Sequence, residues 1–198
     1  MNIGVDVDGV LEDFSKFLVS SGTKFFSEKF DMGLVDPEAK CIEDMFCCTD
    51  KQRRKFWWAC GAEYLFRQPC IDGCAEVISR LVKEGHRVFI ITGRAMTRGR
   101  GPVSLFFRGV LRRWLKKNGI EYEKIVFCRN RRTEEDKRRA CLKHGIDVMI
   151  DDTVSNLTAA RDIVRPILFS APWNIENEDP SLMRVSSWSD VEDAIELA

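Results

Sequence analysis

The chain has 198 residues, 31 Lys or Arg against 31 Asp or Glu, and 44% hydrophobic residues, the make-up of an ordinary soluble globular protein. That length suits one domain, or one core with a modest insertion, and the zero formal charge points to no particular partner. No stretch reaches the roughly 20 apolar residues of a membrane span, and the N-terminus lacks the basic segment, apolar run and cleavage site of an export signal. A cytoplasmic protein is expected, with its eight cysteines reduced. Cys70 with Cys74, and Cys47 with Cys48, lack the paired spacing of a zinc site.

The first buried strand is predicted over Asn2 to Val7 and ends in Asp6, Val7, Asp8, Gly9. Helical patterns rich in aromatics follow over Leu11 to Phe30 and Asp50 to Phe66, with Phe56, Trp57 and Trp58 the densest group. Pro69 and Gly73 mark the return to the main body. A helix over Cys74 to Glu84 then leads to a strand over Arg87 to Thr92, which ends in Thr92, Gly93, Arg94. The pattern repeats with a helix over Val103 to Asn118, a strand over Lys124 to Cys128, and a helix over Thr133 to His144. A strand over Asp147 to Ile150 ends in Asp151 and Asp152, and a helix over Ser155 to Ile163 and a strand over Pro166 to Phe169 follow. Thr133 with Asp136, and Ser189 with Glu192, resemble helix-start capping pairs, the second opening a short C-terminal helix from Asp190.

Continuous apolar strands alternating with helices predict an α/β fold with a doubly wound parallel sheet. About 75 residues separate the first two strands, whereas a crossover needs only a dozen or so. The excess is read as a small helical cap over the carboxyl edge of the sheet, giving a core of 1–12 and 70–198 and a cap of 13–69.

Reactive sites of open α/β sheets lie outside the carboxyl ends of the strands. Asp6, Asp8, Thr92, Asp151 and Asp152 all fall there, and Lys137 lies on the helix before the fourth strand. Carboxylates gathered from two strand ends repel unless a cation sits among them, and hard oxygen ligands of this kind suit Mg²⁺. Taken alone, a DxDG segment is equally a calcium loop or a turn.

In this order DVDGV at 6–10, the Thr of ITGR at 92, Lys137 and the DD pair at 151–152 resemble the four motifs of the haloacid dehalogenase superfamily, over residues 2 to about 174. The resemblance implies a phosphohydrolase in which Asp6 attacks phosphorus and forms an aspartyl phosphate. It makes Asp8 the general acid and base, and assigns Thr92 and Lys137 to the phosphoryl oxygens. Mg²⁺ would be held by the Asp6 carboxylate, the Asp8 backbone carbonyl and Asp151, with Asp152 acting through water or orienting that shell. Gly9 lets the chain turn so that backbone N–H groups face the phosphate, and Gly93 is expected to serve a similar turn.

Three stretches resemble the cytosolic type C deoxyribonucleotidases more closely: IGVDVDGVLEDF, RRWLKKNGIEYEKIVF, and DKRRACLKHGIDVMIDDTVSN with the later APWN. A small phosphomonoester, in particular a nucleotide, is the implied substrate, with Arg94, Phe14 and Phe17 among the substrate contacts. A homodimer is left open, and no membrane partner is expected. The competing reading of the cap aromatics is that they simply pack inward.

Eight Arg or Lys residues and no acid lie from Arg94 to Lys117. They read as the solvated face of a helix or as a field that steers an anionic substrate. Together with the stretch from Arg129 to Arg139 they keep a nucleic-acid terminal phosphate as an alternative substrate, beside other small phosphomonoesters. A phosphoacceptor regulatory domain, which also uses an acidic pocket, a Thr and a Lys, is the alternative from a different class.

Overall fold

The computed structural model describes residues 1–68, 70–129, 133–177 and 179–196. Pro69, together with Arg131 and Arg132 of the basic stretch, lies outside the described residues. Among the described residues the strands are β1 (Asn2–Val5), β2 (Arg87–Thr92), β3 (Lys124–Phe127), β4 (Val148–Asp151), β5 (Arg165–Phe169) and β6 (Met183–Val185). All pair in parallel, in the order β3-β2-β1-β4-β5-β6.

The helices are α1 (Phe14–Phe30), α2 (Ile42–Phe46), α3 (Asp50–Arg67), α4 (Cys74–Lys83), α5 (Pro102–Lys117), α6 (Thr133–His144), α7 (Val154–Ala160) and α8 (Trp188–Glu196). Side chains alternate along the strands, as the pleat requires. Ile3, Val5, Val88, Ile90, Val148, Ile150, Ile167 and Phe169 join the core that α4, α5 and α8 complete. Phe89, Ile91, Met149 and Leu168 join the opposite core with α6 and α7. Helices on both faces explain why the strands read as unbroken apolar runs.

Five strands were expected, and six are present among the described residues. β6 is three residues long with Met183 and Arg184 exposed, so it carries no apolar run. It owes its strand form to pairing with β5, where Ile167 stands opposite Met183 and Phe169 opposite Val185. The last helix also starts earlier than predicted. Ser187 Oγ accepts from Asp190 N at 3.2 Å, and the Asp190 carboxylate accepts from Ser186 N and Ser187 N at 2.9 Å each. The capping pair is therefore Ser187 with Asp190, not Ser189 with Glu192. The shift brings Trp188 into the helix, where it is buried with its indole N–H on the Val10 carbonyl at 3.0 Å. At the start of α6, Asp136 accepts from Arg129 N at 2.7 Å.

Helices α1 to α3 close around their own apolar cluster, which contains Phe17, Leu18, Phe25, Phe26, Ile42, Met45, Phe46 and Phe56. Asp13 caps α1 by accepting from Lys16 N at 2.9 Å, so the helix begins three residues later than its apolar pattern. Thr49 and Gln52 form a capping box at the start of α3. The five-residue α2 was not foreseen. It lies between residues that leave the helical region, with Cys47 left-handed at φ 47°.

Candidate active site

Strands β1, β2 and β3 run outward to one side, after which the chain returns to place β4 against the other flank of β1. The switch point of the sheet is therefore between β1 and β4, where ligands of such sheets bind. Asp6 N donates to Ile150 O at 3.0 Å, extending the ladder one residue beyond β1 and setting Asp6 beside Asp151. Beyond it the chain turns sharply. Val7 O accepts from Leu11 N and Glu12 N at 2.9 Å each, and Gly9 N donates to Glu12 O at 2.8 Å. Gly9 has φ +82°, and a Cβ there would stand 2.6 Å from Asp152 Oδ2, so both the turn and the neighbouring carboxylate require glycine. Gly93 differs from the expected parallel: it is not among the positive-φ glycines. It is small because Thr133 Cγ2 would meet its Cβ at 2.3 Å.

Two clusters of charge grow from this turn. In the first, carboxylate oxygens of Asp6, Asp151 and Asp152 lie within 4.8 Å of one another. Lys137 Nζ reaches Asp151 Oδ2 at 2.6 Å and Asp6 Oδ2 at 3.0 Å. Its neighbours point elsewhere: Arg138 pairs with Asp162, and Arg139 is exposed. The Asp151 carboxylate also accepts from Thr153 N at 3.0 Å and from Asn156 Nδ2 at 3.0 and 3.1 Å. Asn174 Nδ2 donates to the Asp152 and Phe169 carbonyls at 2.8 Å each, and Arg184 from β6 fixes Asn174 Oδ1 at 2.9 Å.

Burial, reinforced by Asp151, Asp152 and Asp8 and opposed by Lys137, pushes the Asp6 carboxyl up to about 8. Burial and the neighbouring Asp151 push Asp152 up to about 6. Burial acts to lower the Lys137 ammonium, but Asp151 and Asp6 outweigh it and raise it. Three carboxylates thus face the buried Lys137 ammonium, with the exposed Lys40 at 4.0 Å from Asp152 Oδ2, and Asp6 Oδ1 is buried without a hydrogen-bond partner among the described residues. Hard oxygens in excess of positive charge, with one oxygen bare, fit a divalent cation such as Mg²⁺.

The second cluster is built on Asp8 and Glu12 of the same turn. The Asp8 carboxylate accepts from Arg94 Nε at 3.1 Å, from Arg94 Nη2, and from the Tyr64 hydroxyl of α3. Arg94 Nη2 also pairs with Glu12, which is 0% exposed, and the guanidinium lies 5.1 Å from the centre of the Tyr64 ring. Burial acts to raise Asp8, but the Arg94 guanidinium and hydrogen bonds from Arg94 and Tyr64 outweigh it and hold Asp8 below the ordinary carboxylate value. Burial pushes Glu12 up to about 7 against the pull of Arg94. Arg94, expected among the substrate contacts, is therefore engaged by protein groups. Thr92 is fully buried at the end of β2, and its hydroxyl oxygen accepts from Arg94 N at 3.2 Å.

The two phenylalanines expected in the pocket differ. Phe17 is 1% exposed inside the cap cluster, which is the packing reading. Phe14 is half-buried, with ring centroids 6.4 Å from Trp57, 5.4 Å from Tyr64 and 6.3 Å from Trp173. Phe56 is core, while Trp58 is 91% exposed. Arg112, Arg113, Lys116 and Lys117 form an exposed face of α5. Glu12, Tyr64, Lys40 and Trp173 were not singled out from sequence. Lys40, in the loop between α1 and α2, donates to Thr153 Oγ1 at 2.7 Å and lies 5.4 Å from the Trp173 ring centre. A Glu inside the apolar run after Gly9 was the one local signal.

A switch-point carboxylate trio, a buried lysine and a helical insertion after the first strand are the features of the haloacid dehalogenase fold class. Solved structures agree on the fold. A "predicted phosphatase" from Clostridium acetobutylicum matches at TM-score 0.68 and 16% identity, covering 100% of this chain and 98% of that one. A haloacid dehalogenase superfamily hydrolase from Geobacter sulfurreducens matches at TM-score 0.63 and 14% identity, covering 98% and 95%. A D,D-heptose 1,7-bisphosphate phosphatase from B. bronchiseptica, solved with magnesium and phosphate, matches at TM-score 0.59 and 14% identity, covering 100% and 98%.

The chain belongs to the family "5' nucleotidase, deoxy (Pyrimidine), cytosolic type C protein", whose model matches residues 1–198. It is 24% identical over 208 residues to a "Putative 5'(3')-deoxyribonucleotidase" of Chlorobaculum tepidum, covering 98% of this chain and 89% of that protein. It is accordingly an enzyme of the phosphatase and nucleotidase kind.

Proposed function

We propose that the enzyme hydrolyses (deoxy)nucleoside monophosphates with Mg²⁺ through an aspartyl phosphate on Asp6. The observation that carries this is the β1–β4 edge, where Asp6 keeps one bare oxygen beside Lys137, Asp151 and Asp152. An Asp6 oxygen attacks phosphorus in line, the bond to the leaving alkoxide breaks, and Asp8 gives that oxygen a proton. Asp8 then takes a proton from the water that attacks the phosphoaspartate, which frees inorganic phosphate and restores Asp6. At rest Asp8 is held ionised by Arg94 and Tyr64, and the approaching phosphate dianion favours the protonation that the first step needs.

Thr92, Lys137 and the backbone N–H groups around Gly9 would hold the phosphoryl oxygens. The Asp6, Asp151 and Asp152 carboxylates and the Asp8 carbonyl would hold Mg²⁺. Bound there, Mg²⁺ supplies the positive charge that keeps Asp6 ionised and offsets the incoming phosphate.

Residues 1–12 and 70–198 act as the catalytic core and 13–69 as the cap that selects the leaving group. Among the described residues no helix is long and apolar enough to cross a membrane, and all eight cysteines are free, which supports a cytoplasmic setting. Family membership supports a nucleotide substrate, and the Phe14, Trp57 and Trp173 rings offer a wall for a base, a contact worth about 1–3 kcal/mol.

The test is a panel of dUMP, dTMP, other nucleoside monophosphates, sugar phosphates and a 3′-phosphorylated oligonucleotide, each with and without Mg²⁺, followed by acid quenching to trap phosphoenzyme. Mg²⁺-dependent turnover of deoxynucleotides with one acid-stable phosphate per chain is expected. Preference for the oligonucleotide with a steep fall in salt would overturn the substrate, and metal-independent hydrolysis would overturn the mechanism.

A further inference from the structure

The Asp8, Arg94, Glu12 and Tyr64 network joins three parts of the molecule. Asp8 and Arg94 stand at the ends of β1 and β2, and Tyr64 lies in the last turns of α3 in the cap. Glu12 sits where the chain crosses between cap and core: it bridges to Asp8 and to Cys70, and Ile71 N donates to Leu11 O at 2.8 Å beside it. Arg94 is immobilised by its own backbone N–H on Thr92, by Glu12 and by the Tyr64 ring.

The two oxygens of Asp8 are treated unequally. Oδ1 accepts from Tyr64, from Arg94 Nη2 and from Arg94 Nε at 3.1 Å, whereas among the described residues the hydrogen bond to Oδ2 is a longer 3.3 Å approach of Arg94 Nε. Three donors on one oxygen pin the carboxyl plane and leave Oδ2 as the oxygen free to carry a proton.

We propose that Tyr64 is a positioning residue for Asp8: its hydroxyl, with Arg94 anchored on Glu12, turns Asp8 Oδ2 toward the leaving oxygen, so proton delivery requires the cap to be seated. This rests on Asp8 being the general acid of the proposed reaction. No bond to Tyr64 or Arg94 forms or breaks; the proton moves from Asp8 Oδ2 to the leaving alkoxide as the oxygen–phosphorus bond opens. A purely structural Tyr64, packed against Phe14 and Phe17, would instead affect every substrate alike.

The experiment compares kcat/KM, which reports phosphoryl transfer to Asp6, on p-nitrophenyl phosphate and on an alkyl phosphomonoester, with Mg²⁺ saturating. An aryl oxide departs without a proton and an alkoxide does not. Tyr64→Phe keeps the ring and is expected to lose about 10²-fold on the alkyl ester, the scale of general acid catalysis, with less than about threefold lost on the aryl ester. Arg94→Met should show the same split, and Arg94→Lys should restore part of the alkyl activity. Equal losses on both esters, or wild-type alkyl activity in Tyr64→Phe, would overturn the proposal. Asp8→Asn separates the two ideas: full alkyl hydrolysis by that variant defeats the assignment of Asp8 itself, while its loss alongside an unaffected Tyr64→Phe defeats the positioning role alone.

Discussion

Two clusters of buried charge flank the same turn, yet their balance differs. Around Asp6, Asp151 and Asp152 the buried cation is Lys137, with Lys40 reaching Asp152 Oδ2 at 4.0 Å, and Asp6 Oδ1 has no hydrogen-bond partner among the described residues. Around Asp8 and Glu12, Arg94 offsets one carboxylate, and the other is pushed up to about 7, so a proton can neutralise it near neutral pH. The first cluster keeps an excess of carboxylate, and the second is closer to balance, although Glu12 Oε1 is likewise buried without a hydrogen-bond partner among the described residues. Burial of charge is costly unless it is compensated, so the carboxylate excess of the first cluster is what the proposed Mg²⁺ would offset.

The largest effect that could break this contrast is on the first cluster. Asp6→Asn is expected to reduce Mg²⁺-dependent phosphate release by about 10⁴-fold or more, while circular dichroism and the melting transition remain native. Wild-type-like turnover would remove Asp6 from the reaction.

Next in size is cation-linked stability. Mg²⁺ at about 100 times its dissociation constant should stabilise the fold by roughly 2.7 kcal/mol, read as a rise in Tm. The rise should vanish in Asp152→Asn and persist in Glu12→Gln. A shift that survives Asp152→Asn would place the cation elsewhere.

The smallest effect belongs to the second cluster and is set by pH. Burial raises the Glu12 carboxyl from the ordinary 4.5 to about 7, so the fold favours its neutral form. Its contribution is fully present below about 4.5 and is lost as pH rises through about 7. Glu12→Gln keeps an acceptor for Arg94 without the charge. It should therefore flatten the pH dependence and be the more stable form at pH 8, by about 1–3 kcal/mol. Denaturant melts between pH 5 and 8 check this, and parallel curves for the two proteins would show that Glu12 titrates normally.

Much of the molecule was legible in the chain. Strands β1 to β5 and helices α4 to α7 were each placed to within a few residues, because burial on both sheet faces and helical periodicity are written in local sequence. The 14-residue spacing that pairs Lys137 with Asp151 spans the rest of α6, a turn and β4, so it too could be read locally. By contrast β6, whose residues carry no pattern, exists only because β5 offers an edge.

What the sequence determined by itself was the set of strand-end residues and their order, since motif spacing and alternation act over a few residues at a time. Only the tertiary structure decided which of them meet. Asp8 is 56 residues from Tyr64 and 86 from Arg94, and no periodicity links positions so far apart. Packing of α3 against the sheet edge brings them together, engaging Arg94 with Asp8, and burying Phe17 while leaving Phe14 half-buried. The reason is physical: a side chain's type is a local property, but its partner is chosen by which surfaces the whole chain must bury.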